Sequence, residues 1–282
     1  MTTPTTPTTA PPSAPSDALA DVTVLMPAYN GQADVERTLA SFRERAAVHV
    51  LLVDDGSDPP IVAPALPNVT VEILRMPRNG GIERALQAGI EALASRGCKY
   101  AARIDAGDLA APERLARQRA YLEAHPNVAG VGMWTQVVTR EGEPLFMLRP
   151  ATEPAEIRRL RFFRSQLVHP AMMLRVDAVR AVGNYRVAYP AAEDLDLFLR
   201  LMERYDCANL PELGLYYEAN PDGISATKRR RQIVSTIRLG MRYFNARNVY
   251  DWLGLAKNLL HLVTPYGWLH RMKRVLFAAR TA

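Results

Sequence analysis

Two short apolar runs, Val22 to Met26 (VTVLM) and His49 to Val53 (HVLLV), break off at Pro27 and at Asp54-Asp55-Gly56. Runs of this length, rich in branched side chains and apolar at consecutive positions, predict strands buried on both faces. Between them Val35, Leu39 and Phe42 recur at helical spacing, giving a βαβ unit with a right-handed crossover. Val71 to Leu74 and Tyr100 to Ile104 repeat the strand pattern, with Ile82, Leu86, Ile90 and Leu93 on the intervening helix. The first 110 residues therefore predict an α/β fold with a doubly wound, mainly parallel sheet. Ligands in that architecture bind beyond the carboxyl ends of the strands. Three polar loops fall there: Pro27-Ala28-Tyr29-Asn30, Asp54-Asp55-Gly56-Ser57 and Asp105-Ala106-Gly107-Asp108.

After Leu122 the pattern changes. Val128 to Val138 reads as a strand pair or one long bent strand, Glu141 to Pro144 as a turn, Ile157 to Phe163 as a helix and His169 to Arg175 as a short strand. Ala111-Pro112-Glu113 reads as the start of a helix. Glu193 to Arg204 predicts another, with Leu197, Phe198 and Leu201 on its apolar face and Asp194, Asp196, Arg200 and Glu203 on its polar surface. From Lys228 onward, basic residues interleave with Ile233, Ile237, Met241, Phe244, Trp252, Leu253, Leu259, Leu260 and Leu262. A later segment, Tyr266 to Phe277, has the same mixture.

Charge divides the chain unevenly. Residues 228–282 hold twelve Lys/Arg against one acid, a net +11, while residues 1–227 hold 23 against 28, a net −5. A basic, aromatic, amphipathic extension suits an anionic membrane surface; helices packed back on the domain with a solvated basic face are the other reading. Residues 1–20, nearly all Thr, Pro, Ala and Ser, predict a disordered tail. That leaves a domain at 21–225 and a basic helical extension at 226–282. Two cysteines without metal-ligand spacing, Cys98 and Cys207, fit reduced thiols in a cytosolic compartment. No apolar stretch is long enough to span a bilayer, so the expected location is cytoplasmic or peripheral on the inner face of the plasma membrane.

The chemistry of the three loops narrows the function. The GxGxxG fingerprint is absent after the first strand, and no GxxxxGK[ST] loop occurs, which disfavours dehydrogenases and P-loop NTPases. Tyr29 can lie against a planar base, and Asp54 or Asp55 can accept a hydrogen bond from a ring N–H such as that of uracil. Carboxylates at the end of a buried strand are costly unless a cation or hydrogen bonds compensate them, so Asp105 and Asp108 suit a divalent ion holding a diphosphate. From the residues alone, Asp108 equally suits the cap of the following helix, and Asp194 the positive end of a helix dipole.

The order of motifs VTVLMPAYNGQADVERTLASF, LLVDDGSDPP, RNGGIERALQAGI, RIDAGDLAAPERLARQ, HPAMM and AAEDLDLFLRL resembles the family 2 glycosyltransferases of GT-A fold, bacterial exopolysaccharide, capsule and O-antigen enzymes above all. The likeness runs over about residues 21 to 215 and implies a nucleotide-binding half and an acceptor half. It implies that Pro27, Ala28 and Tyr29 line the nucleoside pocket, that Asp55 and less directly Asp54 bind the base, and that Asp105 and Asp108 hold Mg²⁺ or Mn²⁺. Asp194 becomes the general base of an inverting transfer from a nucleotide-sugar donor, with UDP as the expected nucleotide, to a glycan or lipid-linked acceptor.

One position departs from the family's DxDD pattern: Gly107 stands where a carboxylate is common. With glycine there, Asp108 is expected to carry the metal and Asp105 to be secondary. His169 could contact phosphate or acceptor, or be a satisfied structural residue; Arg78 and Arg84 could approach the diphosphate. The rival readings are a nucleotidyltransferase making a sugar nucleotide, a nucleic-acid-binding protein and a non-catalytic nucleotide-sugar binder. The first lacks its Gly-rich basic loop, and the second leaves the acidic loops unexplained, so no nucleic-acid partner is expected.

Overall fold

The computed structural model describes residues 18–219 and 228–263. Its strands are β1 (Val22–Ala28), β2 (Val48–Asp54), β3 (Val69–Arg75), β4 (Tyr100–Arg103), β5 (Leu109–Ala110), β6 (Val128–Val138), β7 (Pro144–Leu148), β8 (Met173–Arg175) and β9 (Asp206–Glu218). The helices are α1 (Gln32–Leu39), α2 (Ile82–Ser95), α3 (Arg114–Ala124), α4 (Pro154–Leu160), α5 (Val176–Ala181), α6 (Glu193–Met202), α7 (Arg229–Arg242) and α8 (Val249–Val263).

One sheet runs β3-β2-β1-β4-β8-β6-β9-β5, with β7 against the far half of β6. β1 is parallel to β2 and β4, β2 to β3, and β6 to β9, while β8 lies antiparallel between β4 and β6. The carboxyl ends of β1, β2, β4, β6 and β9 thus share one edge, where the three polar loops lie. The strand residues alternate between two apolar layers. Val24, Met26, Val50 and Leu52 meet Val35 and Leu39 of α1 and Leu115 and Leu122 of α3. Leu25, Leu51 and Val53 meet Leu86, Ile90 and Leu93 of α2, with α5 and α6 completing that side. The α2 helix approaches closely through Gly89, where an added Cβ would stand 2.4 Å from a Leu25 methyl.

The structure corrects several expectations. Leu19 is 2% exposed, so the chain joins the core before residue 21. Of the two readings of residues 128–138 the single long strand holds: β6 pairs with β8 at Gly130 and Val131 and with β7 from Thr135. Pro144 opens β7 instead of closing the turn, because the turn forms at Thr139–Glu143. α3 begins at Arg114, not at Pro112, since Glu113 takes φ 55°; Glu44, from elsewhere in the chain, caps the helix by accepting from the Leu115 amide at 2.8 Å. His169–Ala171 is a 3₁₀ turn, and only Met173–Arg175 of that segment is a strand.

Asp196 and Arg200, expected on the α6 surface, are buried. Arg200 donates to Asp196 at 2.6 Å and to the carbonyls of Val182 and Asn184, so the pair ties α6 to the chain after α5. Cys207 is buried, and burial pushes its thiol up to about 12. Both C-terminal helices rest on the body. Ile233 and Leu239 of α7 are buried, and Asp251 of α8 accepts from Arg161 at 2.6 Å and from the Asn245 amide at 2.9 Å. Among the described residues no helix is long and apolar enough to cross a membrane. The segment Tyr266 to Phe277 and residues 1–17 lie outside the described residues.

Candidate active site

The second loop is built around its own acids. Asp54 closes β2 fully buried, accepting from the amides of Ser57 at 2.9 Å and Ile61 at 3.2 Å and from the Arg75 guanidinium. Burial alone would raise its pKa; the Ser57 and Ile61 hydrogen bonds and Arg75 outweigh that and lower it. Asp55, 4% exposed, accepts the amides of Gly80 at 2.8 Å and Gly81 at 2.9 Å, fixing the approach to α2. The first and second loops are laced together by the Asn30 amide donating to the Ser57 hydroxyl and the Asp58 amide donating to the Asn30 side chain, each at 2.9 Å. Of the first loop's residues, Pro27 and Ala28 are buried and Tyr29 is 52% exposed. Arg78 and Arg84 are exposed.

The third loop is held differently. Gly107 has φ 105°, a conformation that L side chains rarely adopt, so the departure from an acid at this position has a backbone reason. Its amide donates to the Thr38 hydroxyl at 2.9 Å, and its carbonyl accepts from Arg37 at 2.6 Å. Arg37 also pairs with Glu218 at the end of β9, which Arg140 meets at 3.1 Å. The short β5 pairs antiparallel with β9, placing the Glu218 amide 3.0 Å from Asp108 Oδ1. Asp108 is 3% exposed, and its Oδ2 is buried with no hydrogen-bond partner. Burial, then repulsion from Asp105, holds its carboxyl well above the usual range.

Asp105 pairs with Arg103, a fully buried arginine that also donates to the Ile104 carbonyl. A second buried arginine, Arg114, binds the Arg103 carbonyl at 2.7 Å, and burial lowers its own pKa to about 10. Glu193 and Asp194 open α6. Glu193 is 8% exposed with Oε2 unpartnered, and burial, then Asp194, pushes it up to about 8. Asp194 is half-buried, its Oδ1 accepts the Leu195 amide at 2.7 Å, and its carboxyl is raised by burial and further by Asp105. Tyr217 lies within reach of Asp108, Asp105 and Asp194, which add to the burial that lifts its phenol to about 12. Four acids from two distant parts of the chain thus share one electrostatic neighbourhood at the sheet edge.

His169 is buried, with Nε2 2.7 Å from the Tyr185 hydroxyl. Burial, then Arg103, holds it well below its ordinary pKa, so it is a neutral internal residue at physiological pH. Sequence reasoning gave Glu193, the leading acid of α6, no role beside Asp194, and passed over Arg103, Arg37, Tyr217 and Glu218. Arg103 alone had a visible signal, a charge inside an apolar strand.

The oxygen donors present fit a hard divalent ion. Asp108 Oδ2 is a buried, unpartnered carboxylate oxygen with Asp105 nearby. Among the described residues no three His, Cys, Asp or Glu side chains converge as a metal-binding group. Mg²⁺ and Mn²⁺ commonly take only one or two carboxylates and complete their shell with phosphate and water.

Comparison with known proteins agrees with this architecture. The chain is 27% identical over 229 residues to the amylovoran biosynthesis glycosyltransferase AmsE of Erwinia amylovora, covering 77% of this chain and 83% of that protein. It is 28% identical over 270 residues to the succinoglycan biosynthesis protein ExoO of Rhizobium meliloti, covering 87% and 73%. Among solved structures it resembles a mannosyltransferase from Pyrobaculum calidifontis in complex with GDP-Man and Mn²⁺, with a TM-score of 0.60 and 18% identity over 93% of this chain and 76% of that one. A TarS fragment from S. aureus in complex with UDP-GlcNAc gives a TM-score of 0.62 and 14% identity over 84% and 71%. These two share the GT-A type of curled, mainly parallel sheet. The profile of Glycosyl transferase family 2 matches residues 23–183, more than half of the chain, and the protein belongs to that family.

Proposed function

We propose that this glycosyltransferase moves a sugar from a nucleoside diphosphate sugar to an acceptor hydroxyl with inversion of configuration, in the synthesis of a bacterial surface polysaccharide. The observation that carries the reading is the gathering of Asp105, Asp108, Glu193 and Asp194 beside the Tyr29 and Asp55 loops, with Asp108 and Glu193 each left an unpartnered buried oxygen. The names of AmsE and ExoO support the polysaccharide setting. The nucleotide-sugar complexes of the two structural neighbours support the donor class, and UDP remains the nucleotide we favour.

An acceptor hydroxyl is a weak nucleophile at neutral pH. Asp194 takes its proton as the oxygen attacks the anomeric carbon from the face opposite the diphosphate, so no covalent sugar intermediate is needed. Its raised pKa brings it closer to the working pH, which favours a base that must both lose and accept a proton. Glu193, pushed up to about 8, is mostly neutral at pH 7 and spares Asp194 a second like charge. Arg103 beneath Asp105 offsets part of the remaining acid. Asp108, with Asp105 beside it, would hold Mg²⁺ or Mn²⁺, which would supply Lewis-acid charge against the leaving diphosphate. Tyr29, exposed at the end of β1, is open to stack on the base, with Pro27 and Ala28 behind it and Asp55 as the acceptor for a ring N–H. Asp54, with its oxygens engaged inside the loop, acts on the base only by holding Asp55 and Ser57 in position.

A thermal-shift panel of UDP-, GDP- and dTDP-sugars with and without Mn²⁺ tests the reading. Metal-dependent stabilisation by UDP compounds is expected. Stabilisation by GDP or dTDP compounds alone removes the uracil assignment, and none by any sugar nucleotide removes the function.

A further inference from the structure

The α8 helix is turned the wrong way round for a helix docked on a protein. Asp251, Gly254 and Asn258 lie on the side toward the body: Asp251 is bound by Arg161, and Gly254 sits so close to Phe162 that an added Cβ would be 2.5 Å from its carbonyl oxygen. On the opposite side Val249, Trp252, Ala256 and Leu259 follow one another at intervals of three and four residues, with Leu253 beside Trp252, a single stripe, and all are exposed. Val249 is 61% exposed, Trp252 54% and Leu253 46%. An apolar stripe of this kind, presented outward on a helix already anchored by its polar face, marks an interaction surface.

The charge of the extension selects the partner. Arg230, Arg231, Arg238, Arg242 and Arg247 are exposed on the same extension, while its one acid, Asp251, is buried under Arg161. Residues 264–282 bring four more Lys/Arg and no acid, so the extension as a whole is strongly positive, and a second copy of the chain would bring the same charge. A partner that is apolar within and anionic at its surface satisfies both features. We infer that the α8 stripe is a docking surface for an anionic lipid bilayer, inserting its apolar residues among the acyl chains while the exposed arginines of the extension meet the headgroups. No described helix crosses the membrane in this arrangement; the contact is peripheral and reversible. It also extends the expectation drawn from composition, since the face that meets lipid is on α8 while α7 turns Ile233 and Leu239 inward.

Sedimentation of the full chain with phosphatidylcholine vesicles, with and without phosphatidylglycerol, tests this independently of catalysis. Binding is expected only with phosphatidylglycerol and should weaken in high salt. Two stripe variants, Trp252→Glu with Leu253→Glu and, because Trp252 also donates to the Ala246 carbonyl, Val249→Glu with Ala256→Glu, should each lower the bound fraction about tenfold with an unchanged far-ultraviolet spectrum and melting temperature. Three results would overturn the inference: no sedimentation with the anionic vesicles, undiminished binding by both stripe variants, or a dimer in light scattering that these variants dissolve.

Discussion

Two groups of acids stand on the same sheet edge in opposite condition. At the end of β2, Asp54 and Asp55 are buried, yet both oxygens of each accept hydrogen bonds from the protein. Around β4 and α6, Asp108 and Glu193 are as buried and keep an oxygen with no partner, and Asp194 is raised with them. A buried carboxylate whose oxygens are filled by backbone amides stabilises the loop that fills them. One left short of donors destabilises the empty fold and gains most from a ligand that arrives with positive charge or a proton. The difference separates acids whose oxygens the fold already fills, Asp55 offering the proposed base only the lone pairs its two amides leave, from acids left short of partners for a metal or a proton.

The sharpest test of that division is Asp194→Asn. It should lower kcat by about a thousandfold, within the range for removing a general base, while the melting temperature holds or rises. Unchanged transfer would move the base elsewhere. Next, Asp108→Ala should weaken Mn²⁺-dependent donor binding by about a hundredfold and Asp105→Ala by less, because the unpartnered oxygen belongs to Asp108 and Asp105 is already paired with Arg103. The reverse ranking, read by calorimetry with and without metal, would exchange their roles.

On the other side of the comparison, Asp54→Ala should cost about 2–3 kcal/mol of stability in denaturant unfolding by orphaning the Ser57 and Ile61 amides. What activity survives in its folded fraction should keep the wild-type metal dependence. The smallest expected effect has a sign that can be worked out. Glu193 binds its proton at about pH 8 when folded and near its ordinary 4.5 when unfolded. Between those values the folded state holds more protons, so stability rises as the pH falls from about 8 toward 4.5. Glu193→Gln should raise the melting temperature at pH 8 by a few degrees and flatten this slope. A variant that melts lower at pH 8 would show that the Glu193 charge is compensated.

Much of this was readable from the chain because it depends on neighbours in sequence. The runs VTVLM and HVLLV, the spacing of Ile82, Leu86, Ile90 and Leu93, and the loops that follow β1, β2 and β4 are all local patterns. What the sequence hid depends on pairing across long separations. β9 contains Pro211, Glu212 and Gly214, which interrupt any strand signal, and it forms by lying alongside β6 with three register shifts. Tyr217 and Glu218 therefore had no visible reason to belong to the site. Asp196 and Arg200 looked like surface residues because a helical wheel cannot show that each neutralises the other in the interior. The departure at Gly107 was legible as a missing acid; only the backbone angle supplies a reason for it.

The pairing of Glu218 with the third loop also sets an order of events during synthesis. Asp108 leaves the ribosome 110 residues before the amide that binds it, and the residues of β6 precede their partners in β9 by 77 to 80. Until β9 arrives, the growing chain has an open strand edge at β6 and an acidic loop without its clasp, contacts of the kind that form slowly because they close long loops. A nascent protein of this sequence therefore has no assembled site to misuse. The Asp108 loop gains its clasp only with β9, just ahead of the extension that turns its apolar stripe outward.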